Sequence, residues 1–313
     1  MNKNLSNRHY FRQAPTIVNG KYSLKKSESD LVFALLTEIQ KEDEDFKDYT
    51  FTLSQLEIKL GMEINPGQLR VAAKGLMSKI LEVENSEEDW KLLSWFSYFE
   101  YKKGVITCRF DKAMKPYLLE LKQFVNADIR HLAQIKSEYS RRIYLMLKER
   151  FKFGERKFEI EDLMERLEVK KSYREYGKFK QKVLTPAVQD INKYTDLEVK
   201  NIGTAKEPIY FEEHKPSRKV EAVTFYFKSN MADLKQFIEW IRELYPNQPL
   251  YPAKDGRMLK CTSKGLLYYV DDVNDHPTLD KETAQKAWEW LHENRERLEC
   301  FKPNLLDFEG ADQ

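Results

Sequence analysis

The stretch FEIEDLMERLEV, residues 158–169, has a counterpart earlier in the chain, FTLSQLEIKLGM at residues 51–62. Apolar residues coincide in the two stretches at offsets 0, 2, 5, 9 and 11, of which offsets 2, 5 and 9 lie on one face of a helix. In the first copy, Thr52 and Gln55 have the spacing of a capping box, which marks the start of a helix. The pattern therefore predicts one short amphipathic helix that occurs twice, in a repeat of about 110 residues.

The flanking segments repeat in the same order around both short helices. A longer apolar helix precedes each copy, and Ser27 and Asp30 are the expected start signal of the first one. A second amphipathic helix follows each copy, and then come segments rich in β-branched and aromatic residues, which predict strands. The expected ranges are 31–40, 67–80, 92–101 and 105–110 in the first copy, with a turn at Lys102-Lys103-Gly104, and 141–151, 176–193, 197–202 and 220–227 in the second.

The order helix, short helix, helix, hairpin is that of a winged helix, in which the third helix can enter a major groove while the wing and helix N-termini hold phosphates. Small helix-turn-helix units also serve as packing or dimerisation modules, so the order alone leaves that alternative open. The expected fold class is α+β, with tandem winged-helix domains made by an internal duplication and a small C-terminal α/β appendage. The expected domains are residues 1–125, 126–228 and 229–313.

The appendage lies outside the duplication. Its sequence predicts a helix at 232–244, a turn rich in proline, a hairpin around Ser263-Lys264-Gly265 and a helix at 281–297. A role in docking a partner and a role as a packing appendage are both open. The three prolines assigned to the turn are Pro246, Pro249 and Pro252.

The formal charge of +2 is the sum over two regions of opposite net charge. Residues 229–313 hold 11 basic and 16 acidic side chains, a net charge of −5, which leaves +7 on the preceding residues. Residues 1–26 hold six basic and no acidic side chains, and residues 169–200 hold eight basic and four acidic ones. A positive surface attracts phosphates, so these stretches suggest polyanion binding, while a solvated surface of mixed charge stays open as an equal alternative.

The helix at 176–193 is expected to have an apolar face and a polar face. On a wheel of 100° per residue, Lys180 falls on the apolar side and is expected to snorkel to a backbone phosphate, while Pro186 is expected to interrupt the helix. The apolar set is Phe179, Val183, Leu184, Ala187, Val188 and Ile191. Lysine and glutamine can bond base edges, and lysine also neutralises phosphate. The candidate DNA-binding residues of this helix are Lys178, Lys180, Gln181, Lys182, Thr185, Gln189 and Lys193.

The corresponding helix of the first copy has a lower density of basic residues. It is therefore expected to contact DNA more weakly or to leave recognition to the second copy. Its candidate DNA-binding residues are Gln68, Arg70, Lys74 and Lys79, and its expected packing residues are Leu69, Ala72, Ala73, Leu76, Met77 and Ile80.

Three segments carry a resemblance to a known family: SEYSRRIYLMLKERF at 137–151, FEIEDLMERLEV at 158–169 and YGKFKQKVLTPAVQDINKYTDLEV at 176–199. The pattern Tyr-Ser-x-Arg-x-Tyr-x-x-Leu-Lys, the pattern Phe-Lys-x-x-Val-Leu-x-Pro-Ala-Val-x-x-Ile-Asn and the Thr-Asp-Leu that follows are specific in combination. Together they resemble the initiator replication protein family of iteron-containing, theta-replicating bacterial plasmids. The resemblance covers about residues 15–228, more loosely upstream, and leaves the appendage out.

The resemblance implies a protein that binds tandem repeats, the iterons, in double-stranded origin DNA as a monomer. It also implies that the protein helps to melt adjacent AT-rich DNA and recruits the host initiator ATPase and the replicative helicase. A homodimer in equilibrium with the monomer, formed largely through the first winged helix, would repress the protein's own promoter. By position, the residues from Lys178 to Gln189 named above would be the principal readers.

Two other functions stay open at the level of the sequence: a nickase-type initiator of rolling-circle replication and a purely repressive winged-helix regulator. A rolling-circle nickase uses a tyrosine and a metal held by two histidines one residue apart, and the five histidines of this chain, at 9, 131, 214, 276 and 292, never have that spacing. No phosphate-binding loop of the Gly-x-x-x-x-Gly-Lys type occurs. We expect no enzyme activity, no cofactor, no metal and no membrane partner, and the cysteine content favours the cytoplasm.

Overall fold

The computed structural model describes residues 9–40, 43–83 and 88–229, together with three strands at 249–252, 258–261 and 267–269. The chain divides into two units, residues 1–230 and 231–313. The first unit contains both predicted winged helices. In chain order, its elements up to residue 134 are β1 (Tyr10–Gln13), α1 (Pro15–Asn19), α2 (Lys26–Leu36), β2 (Tyr49–Thr52), α3 (Leu53–Leu60), α4 (Pro66–Met77), β3 (Ile80–Val83), β4 (Lys91–Ser94), β5 (Phe96–Lys102), β6 (Val105–Phe110), α5 (Lys115–Leu118), β7 (Val125–Asp128) and α6 (Ile129–Gln134).

The second copy repeats the order helix, short helix, helix, strands, so the predicted fold class of tandem winged helices is confirmed. A π turn at Lys180–Leu184 joins two helical pieces into one continuous helix. The elements are α7 (Glu138–Glu149), β8 (Glu155–Glu159), α8 (Ile160–Arg166), α9 (Tyr176–Phe179), α10 (Thr185–Tyr194), β9 (Leu197–Val199), β10 (Glu212–His214) and β11 (Ala222–Ser229).

The first helix-turn-helix consists of α3 and α4, and α3 begins at the capping box that its sequence predicts. The Thr52 hydroxyl accepts a hydrogen bond from the Gln55 backbone N–H at 3.3 Å, and the Gln55 side chain accepts one from the Thr52 backbone N–H at 2.8 Å. This capping box was predicted and is confirmed. Gly61, at φ 64°, ends α3 in the left-handed conformation, and the Asn65 side chain caps α4 by accepting from the Gly67 N–H at 2.7 Å.

The predicted start of the helix before this unit is wrong. Helix α2 begins at Lys26, and Glu28 closes its first turn by accepting a hydrogen bond from the Lys25 N–H at 2.8 Å. Asp30 lies one turn further along, where its buried carboxylate pairs with Lys26 at 2.8 Å and with Arg141 of α7 at 2.7 Å. Asp30 is therefore used in packing α2 against α7 rather than in starting the helix.

The predicted strand at 92–101 is two strands. The chain turns at the buried Trp95, whose carbonyl accepts a hydrogen bond from the Asp111 N–H at 3.0 Å. Strand β4 pairs with β3 in a two-stranded sheet, whereas β5 pairs with β6 in a sheet of order β2-β6-β5. A continuous run of apolar and aromatic residues does not reveal such a change of partner, because both strands have the same composition.

The second sheet also differs from its prediction. Strand β11 pairs antiparallel with β8 on one side and, on its other side, with β10 and β9. The predicted pairing of 197–202 with 220–227 is confirmed in part, because β9 pairs antiparallel with β11, but β9 ends at Val199 and the strand that forms the hairpin with β11 is β10. Strand β10 consists of Glu212, Glu213 and His214, which are too polar to be recognised as a strand from composition.

The two winged helices share one hydrophobic core, and Arg142 of α7 lies at the junction. The guanidinium of Arg142 is buried and donates hydrogen bonds to three backbone carbonyls, those of Val18 at 3.2 Å, Gly20 at 2.7 Å and Tyr22 at 2.6 Å. Its central carbon lies 3.5 Å from the centre of the Tyr22 ring. One side chain thus fixes the end of α1 and the loop that follows it.

Within the second winged helix, the buried carboxylate of Asp196 joins the end of α10 to α7. The Tyr144 hydroxyl donates to it at 2.8 Å, and the Lys148 ammonium pairs with its other oxygen. Both partners come from α7, while Asp196 follows the end of α10. The Tyr-Ser-x-Arg-x-Tyr-x-x-Leu-Lys pattern and the Thr-Asp-Leu that follows α10 therefore contact each other in the folded protein.

In the second unit the structure describes three strands, β12 (Pro249–Pro252), β13 (Met258–Cys261) and β14 (Leu267–Tyr269), in the antiparallel order β12-β13-β14. The pairing of β13 with β14 agrees with the predicted hairpin around 263–265. Pro249 and Pro252, predicted in a turn, lie in β12, which is an edge strand of this sheet, where proline is tolerated. The predicted helices at 232–244 and 281–297, and Pro246, lie outside the described residues.

Candidate nucleic-acid interface

The helix formed by α9, the π turn and α10 has the two faces that its sequence predicts. All six apolar residues, Phe179, Val183, Leu184, Ala187, Val188 and Ile191, are buried. The opposite face is open to solvent along its length. All seven candidate DNA-binding residues of this helix have exposed side chains: Lys178, Lys180, Gln181, Lys182, Thr185, Gln189 and Lys193. The helix thus combines a face that packs with a polar, basic face of the kind that reads a major groove.

Pro186 is predicted to interrupt this helix, but the helix continues through it by way of the π turn at Lys180–Leu184. Proline has no N–H, and its ring clashes with the carbonyl four residues earlier, which here belongs to Lys182. The chain widens by one residue before the proline, so that the Thr185 N–H donates to the carbonyl of Lys180, five residues earlier. A helical wheel drawn with a uniform 100° per residue therefore assigns wrong directions to side chains near the π turn.

Lys180 is one such residue. The wheel placed it on the core side, but its side chain is exposed and its ammonium donates to Glu213 of β10 at 2.6 Å. Lys215 pairs with the same carboxylate at 2.7 Å, and the Tyr176 hydroxyl donates to it at 2.8 Å. Partial burial alone would raise the pKa of Glu213, but these three hydrogen bonds lower it to about 2. Glu213 thereby fixes the start of this helix against the base of the loop between β10 and β11.

The wing of the second domain is the loop between β10 and β11, and no wing residue of this domain was predicted from the sequence. The loop contains Lys-Pro-Ser-Arg-Lys at 215–219, and its three basic side chains, Lys215, Arg218 and Lys219, are exposed. Lys219 pairs with Glu161 of α8 at 2.6 Å, an exposed ion pair of small energy that is free to exchange for a phosphate. The signal that could have located this wing is a basic cluster around a proline between two strands.

In the first domain, α4 exposes three of its four candidate residues, Gln68, Arg70 and Lys74, while Lys79 lies beyond the helix and is half-buried. Four of the six residues predicted to pack, Leu69, Ala72, Ala73 and Leu76, are buried. The prediction is wrong for Met77 and Ile80, which are 40% and 46% exposed, because α4 ends at Met77 and the chain turns there into β3.

The wing of the first domain is the hairpin of β5 and β6. Its turn lies at Lys103 and Gly104, which have φ angles of 50° and 81°. Two successive positive φ angles are typical of the tight turns that match the twist of a hairpin. The turn was predicted at Lys102-Lys103-Gly104 and is confirmed, and both lysines are exposed at its tip. Each winged helix therefore has a basic wing beside a helix with exposed basic residues.

Two folded winged helices with this surface define a DNA-binding protein of the tandem winged-helix class. Residues 10–148 match the family described as "Initiator Replication protein, WH1", and residues 159–227 match "Initiator Rep protein, WH2". The two matches cover about two thirds of the chain. The chain belongs to this family of replication initiators.

A relative of known designation is a "Replication initiation protein" of Escherichia coli, with 26% identity over 199 residues. The match spans 60% of this chain and 63% of that protein, so it covers less than two thirds of the relative's length. The crystal structure of domains 2 and 3 of RctB has a TM-score of 0.40 and 10% identity, and covers 66% of this chain and 82% of that one. Among the described residues, no helix is long and apolar enough to cross a membrane.

Proposed function

We propose that this protein initiates replication of a plasmid by binding tandem repeats in double-stranded origin DNA as a monomer. In this proposal it promotes melting of the adjacent DNA and recruits the host initiator ATPase and replicative helicase in the cytoplasm. As a homodimer it represses its own promoter. The observation that carries the proposal is the presence, in one unit, of two winged helices that each expose a basic helix beside a basic wing.

The proposed division of labour follows the charges of the two helices. The second domain, residues 126–228, is the main reader, through the seven exposed side chains between Lys178 and Lys193. The first domain, residues 1–125, contacts DNA through Gln68, Arg70, Lys74 and Lys79 and also forms the dimer. Residues 229–313, with a net charge of −5, are repelled by phosphate and have a role other than DNA contact.

Replication in trans tests this proposal. A plasmid that contains the DNA flanking the gene, but no initiator gene, is introduced into cells with or without the full chain supplied from a second replicon. We expect transformants only when the chain is supplied, and none when it is replaced by the Lys178→Ala, Lys182→Ala variant at equal expression. A purely repressive regulator would give no transformants under verified expression while still silencing a reporter fused to the promoter.

The alternative of a nickase-type initiator makes a different prediction. Supercoiled origin plasmid incubated with the protein and Mg²⁺ or Mn²⁺ would give nicked circles and a protein bound covalently to a DNA end. The proposed function requires that the plasmid stay supercoiled. Nicked circles that depend on the protein would contradict the proposal of initiation without catalysis.

A further inference from the structure

Val71 of α4 is an aliphatic residue that lies on the surface of the first domain and not in its core. Helix α4 buries Leu69, Ala72, Ala73 and Leu76, which form one stripe along its length. With 100° per residue, Val71 and Lys74 lie close to the direction opposite that stripe. Val71 is 70% exposed, so its branched side chain contributes little to the packing of the first domain. Its side chain is therefore available for contact with a binding partner.

The neighbours of Val71 on the helix surface are polar or basic. Gln68 precedes it and Lys74 follows it by three residues, so their side chains lie beside it on the same face, and Arg70 is adjacent. All three are exposed. Helix α4 contains no acidic residue, and its N-terminus contributes a further partial positive charge. On this face of α4 the charge is therefore complementary to a polyanion, while toward the start of the helix Val71 borders a cavity that is also lined by Met62 and Glu63.

A branched aliphatic group between an amide and two cations matches the major groove of DNA in its chemistry. The cations suit phosphates and guanine, the amide suits adenine, and the C5 methyl of thymine is the aliphatic group that a base presents there. We propose that Val71 reads thymine by van der Waals contact with this methyl group, so that α4 contributes to sequence selectivity as well as to affinity. The inference rests on the proposed function, because it requires that the first domain bind duplex DNA.

Replacement of thymine by uracil tests the contact, since uracil lacks only the methyl group and keeps its hydrogen bonds. The full chain is first used to select a duplex from a random library, and each thymine of that duplex is then replaced singly by deoxyuridine. Binding constants are measured for the natural sequence and for two variants. Val71→Ala removes the proposed contact, and alanine favours the helix, so the fold is kept. Ile58→Ala is the matched control, because Ile58 is an aliphatic residue of α3 that is 81% exposed.

At one or two thymines we expect uracil to weaken binding by the wild-type chain about fourfold, the factor that corresponds to one buried methyl or methylene group. Val71→Ala should weaken binding of the thymine duplex by a similar factor and show no further loss with uracil at those positions. Ile58→Ala should keep the full uracil effect.

Three results would overturn the inference: a full uracil effect in Val71→Ala, no uracil effect at any thymine in the wild type, or loss of the effect in Ile58→Ala. Either of the first two is expected if Val71 instead covers a protein contact. If the full chain selects no duplex at all, the proposed function fails as well. A selected duplex whose binding does not depend on Val71 contradicts this inference alone.

Discussion

We expect replacement of Arg142 by alanine to lower the free energy of unfolding of the first unit by about 3–5 kcal/mol, because it leaves buried carbonyl groups without a donor and removes the cation above an aromatic ring. The affected carbonyls are those of Val18, Gly20 and Tyr22. Urea unfolding of the full chain, followed by circular dichroism, measures the effect as a lower midpoint with an unchanged slope.

Two variants make this prediction specific. Arg142→Lys should recover little of the loss, since an ammonium is a compact charge that cannot donate through a planar fork while stacking on Tyr22. Arg70→Ala removes an arginine that is exposed on α4 and should change stability by no more than about 0.5 kcal/mol. If Arg142→Ala unfolds at the same urea concentration as Arg70→Ala, the proposed role of Arg142 in joining α1 to α7 is wrong.

The double variant Lys178→Ala, Lys182→Ala should weaken DNA binding by roughly 50-fold at 0.1 M salt. Each phosphate contact releases about 0.9 counterions, so its loss lowers affinity roughly eightfold at that salt concentration and reduces the slope of log K against log salt by about 0.9. Both lysines are exposed, and the ion pair of Lys178 with Glu175, at 3.5 Å, is weak enough to exchange. Fluorescence anisotropy over a salt series measures both quantities.

The control for the change in net charge is Lys47→Ala, Lys112→Ala, which removes two exposed lysines that lie outside both helix-turn-helix units. Its salt slope should stay close to that of the wild type. Where a lost lysine also made a bidentate base contact, discrimination at that base should fall by about 1–3 kcal/mol. An unchanged affinity and an unchanged slope in Lys178→Ala, Lys182→Ala would show that this helix does not contact DNA.

The repeated architecture could be predicted because its signals are local. The capping box of Thr52 and Gln55 involves residues three apart, and the buried stripe of the helix that contains Val183 and Ile191 follows from periodicity. The turn at Lys103-Gly104 contains a glycine, the residue that adopts positive φ angles at no steric cost. Each of these features depends on a few neighbouring residues, so a sequence is enough to locate it.

The features that could not be predicted depend on partners distant in the sequence. Glu213 engages Lys180 across 33 residues, and Asp30 engages Arg141 across more than one hundred. Pro186 predicted an interrupted helix, but the choice between a kink and a π turn depends on what the helix packs against. The surface position of Val71 likewise follows from where α4 packs.

The segments that carry the family resemblance include many structural residues. Arg142, Tyr144 and Lys148 belong to the first of them. Arg142 joins the two winged helices, whereas Tyr144 and Lys148 share Asp196 as a partner within the second one. A sequence pattern can thus identify a family through residues that stabilise its fold. Most of the residues that we propose to contact DNA lie elsewhere, on the exposed faces of α4 and of the helix formed by α9 and α10.

Hydroxyl-radical footprinting of the full chain on its selected duplex tests the central claim most directly, namely that both winged helices of one chain bind the same DNA. We predict two protected segments on one face of the duplex, about one helical turn apart. Lys178→Ala, Lys182→Ala should abolish protection of one segment, and Arg70→Ala, Lys74→Ala should weaken protection of the other. A single protected segment, unaffected by the changes in α4, would contradict the claim.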